Sequence, residues 1–277
     1  MRVAIATCVR LPEPDPDEAR LLRALGAAGV EAELVAWDAM RSDLSTFDVC
    51  VIRSTWNYYR AYEDFLAWVD RASTATRLRN PAELVRWNSH KRYLLDLEVP
   101  VVPSVFVDRG AAVPTMGALF EALGSEEVVV KPAVSAGSFR TRRFGVGEAV
   151  AAASFLAELS ASRDAMVQPV MRSVDTVGEQ ALVWIAGEVT HAVRKHPRFA
   201  GEDESVTLVP EVSPELRRLA AEAIGDRASE LLYARVDVMI DAGGAWCVSE
   251  LELIEPSLFF AQVPSALTRF VDAIVAG

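Results

Sequence analysis

The stretch VVVKPAVSAGSFRT, residues 128–141, joins an apolar strand to a loop of small side chains. The strand runs to Lys131. The loop then begins with four small residues, Ser135, Ala136, Gly137 and Ser138. Small residues let backbone N–H groups approach an anion closely, and a lysine at a strand end adds a point charge. The stretch therefore predicts a flap over a polyphosphate, with a plain surface turn as the alternative.

Three carboxylates lie farther along, in the β-rich run YARVDVMIDAGGAWCVSELEL, residues 233–253. A two-residue turn at Gly243-Gly244 places Asp237 directly opposite Glu250, and Glu252 two residues on shares their face. Carboxylates opposed in this way repel one another unless a cation lies between them. Hard oxygen ligands in this number are typical of Mg²⁺. Scattered acids on a solvated face are the alternative.

A second hairpin is predicted in GEQALVWIAGEVTHAVRK, residues 178–195, with its turn at Ala186-Gly187. This register places Glu179 opposite Arg194. Two interpretations fit the pair: an ordinary cross-strand ion pair, or a carboxylate for a ribose hydroxyl beside a guanidinium for a phosphate.

The first 80 residues alternate short apolar runs with amphipathic segments in the order strand, helix, strand, strand, helix, which predicts a parallel sheet. Binding loops gather at the carboxyl ends of such strands, where RSTWNYY begins at Arg53. Its guanidinium fork suits a substrate carboxylate. Thr55 and Asn57 are candidates for other polar groups of a substrate, whereas the aromatic residues of the stretch are expected to pack.

The composition excludes several classes of partner. The net charge of −11 disfavours a nucleic-acid backbone. Because the sequence contains no apolar run of about 18 residues, no membrane span is expected. The N-terminal MRVAIATCV lacks the features of a signal peptide, and the three cysteines have no metal-binding spacing, so a cytoplasmic location is predicted. A homodimer is left open beside a monomer, and the stretch 197–205 is predicted to be a mobile loop.

These motifs, in this order and spacing, resemble the ATP-grasp family of ATP-dependent ligases over residues 88–256. The resemblance implies an α/β (α+β) fold in three parts: an N-terminal parallel-sheet domain on the substrate side, residues 1–86, a lid subdomain, 87–166, and a C-terminal subdomain with the metal site, 167–277. The two later parts would clasp ATP.

The resemblance also implies roles for individual residues. ATP phosphates would contact Lys91, Lys131, the four flap residues, Arg194 and Lys195. The adenine edge would meet the backbone of Gln168, Pro169 and Val170, and the ribose would meet Glu179. Mg²⁺ would bind Asp237, Glu250 and Glu252, although many members of the family have an asparagine at the last of these positions. Lys131, Arg194 and Arg53 would be the catalytic residues.

Within the family, RSTWNY, LVRWNSHKRYLLDL, HAVRK and ELELIEPSLFF make the chain most similar to the D-cycloserine-forming branch. This implies that ATP phosphorylates the carboxylate of a small amino-acid-like substrate and that a nitrogen of the same molecule then closes a ring. D-cycloserine, an antibiotic, would arise in this way from O-ureido-D-serine. An intermolecular carboxylate–amine ligase and a non-catalytic nucleotide sensor are the alternatives.

Overall fold

The computed structural model describes residues 1–40, 43–196 and 205–277. The predicted mobile loop therefore lies outside the described residues, apart from Ser205. Among the described residues, no helix combines the length and the apolar character that crossing a membrane requires. The described strands form three separate sheets.

The N-terminal sheet is parallel, as predicted, with the strand order β2-β1-β3-β4. Its strands are β1 (Arg2–Thr7), β2 (Glu31–Ala36), β3 (Val49–Ser54) and β4 (Arg77–Arg79). Helices α1 (Glu18–Ala27), α2 (Tyr62–Ala75) and α3 (Ala82–Asn88) belong to the same part of the chain. Because β1 and β3 are covered on both faces, their residues are almost continuously apolar instead of alternating.

The second sheet is antiparallel, with the order β5-β8-β6-β7, and it carries two helices. Its elements are β5 (Val105–Val107), α4 (Met116–Leu123), β6 (Glu127–Pro132), β7 (Arg142–Gly145), α5 (Ala149–Ser160) and β8 (Ala165–Pro169). Alternation along β6 buries Val128 and Val130 against α4 and α5, which turns Lys131 to the opposite face. The predicted boundary at residues 166/167 falls inside β8, whose last residues still pair with β6.

The third sheet is antiparallel, with the order β11-β10-β9-β12-β13. Its elements are β9 (Glu179–Ile185), β10 (Glu188–Lys195), β11 (Val206–Leu208), α6 (Pro214–Ile224), β12 (Tyr233–Ile240), β13 (Trp246–Glu252) and α7 (Pro264–Ala276). Phe270 and Ile274 of α7 share one core with Val183 of β9 and with Ile5 and Val51 of the N-terminal sheet. The last helix therefore joins the first and third parts of the chain.

The β9–β10 hairpin has the predicted turn, since Ile185 pairs with Glu188. The register then shifts between Val189 and His191, so that Lys195 faces Glu179. The predicted pairing of Glu179 with Arg194 is wrong, because the extra residue of a bulge moves every later position by one.

The β12–β13 hairpin places Asp237 opposite Glu250, as predicted, but by a different route. The loop is longer than the predicted two-residue turn: the N–H of Asp241 bonds to the carbonyl of Ala245. A bulge at Ser249 then restores the predicted pairing. The longer loop shifts the pairing by one residue and the bulge shifts it back, so the two departures from the predicted hairpin cancel.

Candidate active site

A cavity of about 640 Å³ lies where the flap, the face of the third sheet and the N-terminal domain meet. The flap contributes all four of the predicted small residues, Ser135, Ala136, Gly137 and Ser138. Lys91, Lys131, Glu179 and Lys195 also line it, as do Glu250 and Glu252. Most of the residues that were predicted to hold phosphates, ribose and metal are therefore brought together.

The flap backbone turns sharply over this cavity. Gly137, Ser138 and Arg140 have φ angles of 57°, 58° and 50°, in the left-handed region that side chains other than glycine rarely adopt. Phe139 packs on Tyr59 of the N-terminal domain, with ring centroids 4.6 Å apart. Arg140 pairs with Glu158 of α5, so its charge is directed to the lid. The flap therefore offers backbone and small side chains to the cavity.

Three lysines converge on the cavity, and their partners differ. Lys91 pairs with Glu250, and Lys195 pairs with Asp237 and, at 3.2 Å, with Glu179. Burial lowers the pKa of Lys131, and the charges of the other two lysines lower it further despite the attraction of Glu250. A half-buried lysine among other lysines costs stability unless an anion joins them, which is the environment that a polyphosphate would meet.

Asp237 and Glu252 are linked through Arg235, a residue that the sequence analysis missed. The Arg235 guanidinium donates to both carboxylate oxygens of Asp237, at 2.8 and 2.9 Å, and pairs with Glu252 as well. Burial disfavours ionisation of Asp237, but Arg235 and Lys195 outweigh it and lower its pKa. The signal was present in the sequence, because Arg235 lies two residues before Asp237 on the same face of β12.

The carboxylates of Asp237, Glu250 and Glu252 are chemically suited to Mg²⁺, but they are not arranged as a metal-binding group. Among residues 1–40, 43–196 and 205–277, no three His, Cys, Asp or Glu side chains already form a metal-binding group. Asp237 and Glu250 are occupied by lysines instead. Burial, with the nearby charges of Glu250 and Asp237, raises the pKa of Glu252 to about 7. A divalent cation bound among these carboxylates would relieve their mutual repulsion. Lys91 and Lys195 would then leave the carboxylates and pair with phosphates.

Arg53, Thr55 and Asn57, the residues predicted to bind the substrate, do not line the cavity. Arg53 is only 2% exposed and donates to the carbonyl of Pro256 at 3.0 Å. Thr55 is fully buried, and Asn57 bridges Trp37 and Asp38. The Arg53 side chain thus bonds the N-terminal domain to the segment after β13, and the Asn57 side chain bonds within the N-terminal domain.

The aromatic residues of RSTWNYY line the cavity instead. Trp56, Tyr58 and Tyr59 all face it, although the sequence indicated packing for them. Three residues separate β3 from a short 3-10 helix, Tyr58–Arg60, and the three aromatic residues lie in this connection and at the start of the helix. Both descriptions hold for Tyr58, which is buried and also borders the cavity.

The predicted adenine contacts and Arg194 are also placed away from the cavity lining. Pro169 has no N–H, and the N–H of Val170 donates to the carbonyl of Glu127, because β8 continues its pairing with β6. The side chain of Gln168 donates to Ser104. Arg194 is exposed on β10 as a consequence of the bulge, and Lys195 takes the cavity-facing position.

Comparisons with known proteins show which proteins this chain resembles in sequence and fold. Residues 3–80 match the family model of the D-cycloserine synthetase DcsG N-terminal domain. The cycloserine biosynthesis protein DcsG of Streptomyces lavendulae is 32% identical over 290 residues, covering 98% of this chain and 96% of that protein. The crystal structure of D-cycloserine synthetase DcsG has a TM-score of 0.89 at 31% identity and covers 100% of this chain and 99% of that one.

A more distant neighbour shares the fold alone. The ATP-grasp ligase PsnB, solved with a minimal precursor, Mg and ADP, has a TM-score of 0.62 at 17% identity, covering 99% of this chain and 97% of that one. The architecture and the site thus define an ATP-grasp enzyme, an ATP-dependent carbon–nitrogen ligase. Within that class, the chain belongs to the DcsG family.

Lys131→Met is expected to weaken ATP binding by about 10- to 100-fold without lowering thermal stability, because methionine keeps the aliphatic stem and removes a buried cation. Calorimetric titration with a non-hydrolysable ATP analogue and Mg²⁺ measures the affinity, and thermal unfolding measures the stability. Unchanged affinity in a folded variant would remove Lys131 from the phosphate site.

The nucleotide-free protein is expected to lose stability as the pH rises from about 6.5 to about 8. Burial and the charge of Glu252 raise the pKa of Glu255 to about 8. The folded state therefore holds a proton that the unfolded state has already released, and the associated stability disappears as pH approaches the folded pKa. Burial lowers the pKa of His191 to about 4, so the opposite contribution of that residue is complete below this window.

Thermal unfolding of the wild type and of Glu255→Gln at both pH values tests this expectation. The decrease in Tm should be smaller in the variant, which lacks the titrating group. An equal decrease in both proteins would show that Glu255 does not titrate in this range.

Proposed function

We propose that this chain closes O-ureido-D-serine into D-cycloserine at the expense of ATP. The observation that carries the proposal is that one cavity runs from the phosphate-side lysines to the aromatic residues of the N-terminal domain. It offers one continuous space for a nucleotide end and a single small substrate. The full-length similarity to DcsG supports the same reaction.

The reaction has two bond-forming stages. The substrate carboxylate attacks the γ-phosphate of ATP, which gives an acyl phosphate and ADP. The ureido nitrogen attached to the side-chain oxygen then attacks the acyl carbon and displaces phosphate, closing the ring. Hydrolysis of the remaining carbamoyl group consumes one water and releases carbon dioxide and ammonia. Tethering the nucleophile supplies a high effective molarity without a second binding site.

The side chains of the cavity would serve the first stage by holding charge. Lys91, Lys131 and Lys195 would move from their present surroundings to the phosphates. Asp237, Glu250 and Glu252 would hold Mg²⁺, which neutralises phosphate charge when it is bound. Arg235 lies beside these carboxylates and would face the oxygens of the transferred phosphoryl group.

The flap and the ribose site complete the proposed arrangement. The flap would cover the acyl phosphate and keep water from hydrolysing it. Glu179 accepts hydrogen bonds from Ser249 at 2.8 Å and from Lys195, which fixes its carboxylate at the cavity wall for a ribose hydroxyl. The adenine would lie against the apolar lining of Val174, Met239 and Leu251.

The test is incubation with Mg²⁺, ATP and O-ureido-D-serine as the sole amino acid, followed by mass spectrometry of ADP and a cyclic product. We expect both to appear together, with ammonia in equal amount. If ADP forms only after a separate amine is added, the chain is an intermolecular ligase and the ring-closure proposal fails.

A cytoplasmic location and a homodimer stay predictions of the sequence. Light scattering during size-exclusion chromatography would measure the mass of the particle in solution and decide between monomer and dimer.

A further inference from the structure

The segment 253–256, directly after β13, is held unusually firmly at its carbonyl groups. Each of its four carbonyls accepts a side-chain hydrogen bond: Leu253 from Asn80 at 2.8 Å, Ile254 from Tyr233 at 2.6 Å, Glu255 from Trp56 at 2.9 Å and Pro256 from Arg53 at 3.0 Å. Three of the donors, Asn80, Trp56 and Arg53, belong to the N-terminal domain and the fourth, Tyr233, belongs to β12, so both parts of the chain determine the path of this segment. The side chain of Glu255 is directed into the cavity by that path.

The Glu255 carboxylate differs from the acids near it. Glu250 and Glu252, which also line the cavity, each pair with a lysine or an arginine, as does Asp237, which is buried and does not line the cavity. In the part of the chain that the structure describes, the Glu255 carboxylate has no hydrogen-bond or ion-pair partner, although Lys91 and Arg235 act on it at longer range. A half-buried carboxylate without a partner is unfavourable, so a cationic group of a bound molecule is favoured at this position.

Its position is on the substrate side of the cavity. Glu255 borders the cavity together with Trp56 and Tyr58 of the N-terminal domain, and the indole N–H of Trp56 donates to the Glu255 carbonyl at 2.9 Å. The phosphate-side lysines lie with Glu250 and Asp237 instead. A cation held by Glu255 would therefore belong to the molecule bound between the metal carboxylates and the N-terminal domain.

We propose that Glu255 binds the α-ammonium group of the amino-acid substrate, an inference that rests on the proposed function. The ring nitrogen of D-cycloserine comes from the ureido group, so the α-ammonium is not consumed and persists as a fixed cation through both stages. Holding it at Glu255 would turn the neighbouring carboxylate of the substrate toward Arg235 and the lysines. Glu255 would thus be a specificity residue for α-amino acids.

The test compares O-ureido-D-serine with its analogue that lacks the α-amino group, in the wild type and in Glu255→Gln. In the wild type, removing the amino group should lower kcat/KM by about 10- to 100-fold, the usual range for one charged hydrogen bond. In Glu255→Gln the natural substrate should lose activity by a similar factor, mainly through KM, while the two compounds become nearly equal. Glu255→Asp should recover part of the discrimination.

Three further measurements separate the possible outcomes. Glu121→Gln on the exposed side of α4 is the matched control and should behave as wild type. The KM for ATP should be unchanged in Glu255→Gln, and calorimetric titration of the substrate should show the same loss of affinity as the kinetics. If the variant keeps the wild-type discrimination between the two compounds, or loses only kcat, the ammonium role is overturned.

Failure of the proposed function can be distinguished from failure of the Glu255 proposal. In that case the wild type would release no ADP with O-ureido-D-serine but would release it with another amino acid from a panel. The same comparison, made with that amino acid and its deamino analogue, then decides the role of Glu255.

Discussion

Asp237→Asn is expected to lower substrate-dependent ADP release by ~1,000-fold, the largest effect we predict for any single substitution at the candidate active site. Asp237 is only 1% exposed and joins Arg235 and Lys195 into one network. Asparagine keeps the shape but loses the charge. The proposed Mg²⁺ would lose a ligand, and two cations would lose their shared counter-ion at the point where we propose that phosphate charge is balanced.

The measurement is a coupled assay of ADP release at saturating ATP and substrate, over a range of Mg²⁺ concentrations. Asp272→Asn on the exposed face of α7 is the matched control and should keep wild-type turnover. Because Arg235 and Lys195 also lose the partner that they share, Tm is measured in parallel. A folded Asp237→Asn variant with turnover within about tenfold of wild type would contradict the proposed metal role.

Glu250→Gln and Glu252→Gln should also lower substrate-dependent ADP release. Added Mg²⁺ should recover part of the activity in whichever variant has lost the weaker ligand. Glu252 occupies the position where the family resemblance implies an asparagine, and burial with nearby carboxylates raises its pKa to about 7. It therefore carries less negative charge near neutral pH than Asp237, whose pKa the neighbouring cations lower. We expect Glu252→Gln to be the milder variant.

Periodicity and turn residues predicted those parts of the fold that depend on local sequence. The parallel N-terminal sheet, both hairpins and the flap were all visible in the pattern of apolar, small and glycine residues. The opposition of Asp237 and Glu250 was also predicted, although the structure reaches it through a longer loop and a bulge. The predicted opposition therefore holds because the longer loop and the bulge offset each other, and neither departure was predicted from the sequence.

The bulge in β10 explains why, of the two predicted phosphate contacts Arg194 and Lys195, only Lys195 lines the cavity. The extra residue, Thr190, donates its hydroxyl to the carbonyl of Val183, and the ring of His191 contacts the carbonyl of Leu258. Leu258 lies far from β10 in sequence, so this tertiary contact is not encoded in the hairpin pattern. A shift of one residue reverses which side chains face the cavity.

Arg53 illustrates a second limit of sequence reasoning. A guanidinium at the carboxyl end of a parallel strand is consistent with both anion binding and structural bonding. The structural role follows from a contact with a distant part of the sequence, because Arg53 donates a hydrogen bond to the carbonyl of Pro256, about 200 positions later. No feature of RSTWNYY alone distinguishes the two roles.

Asn80→Ala is expected to lower the free energy of unfolding by about 3–5 kcal/mol, the largest stability effect we predict. Asn80 is fully buried at the end of β4. Its side-chain amide donates to the carbonyls of Tyr233 and Leu253, at 2.9 and 2.8 Å, and its oxygen accepts from the N–H of Leu232 at 2.8 Å. Alanine would leave these three backbone groups without their partner in a region closed to water.

Urea denaturation of the wild type, Asn80→Ala, Asn80→Asp and Asn57→Ala measures this effect. Asn57 is the matched control, since it also makes two side-chain bonds but lies half-buried in the N-terminal domain, and its loss should cost about 1 kcal/mol or less. Asn80→Asp keeps the acceptor for Leu232 but turns carboxylate oxygens toward two carbonyls, so it should also be strongly destabilised. Equal stability of the Asn80 and Asn57 variants would contradict the role of Asn80 as the bond between the first and third sheets.

Because the carbonyl of Leu253 begins the segment that directs Glu255 into the cavity, a folded Asn80 variant should also bind the substrate more weakly.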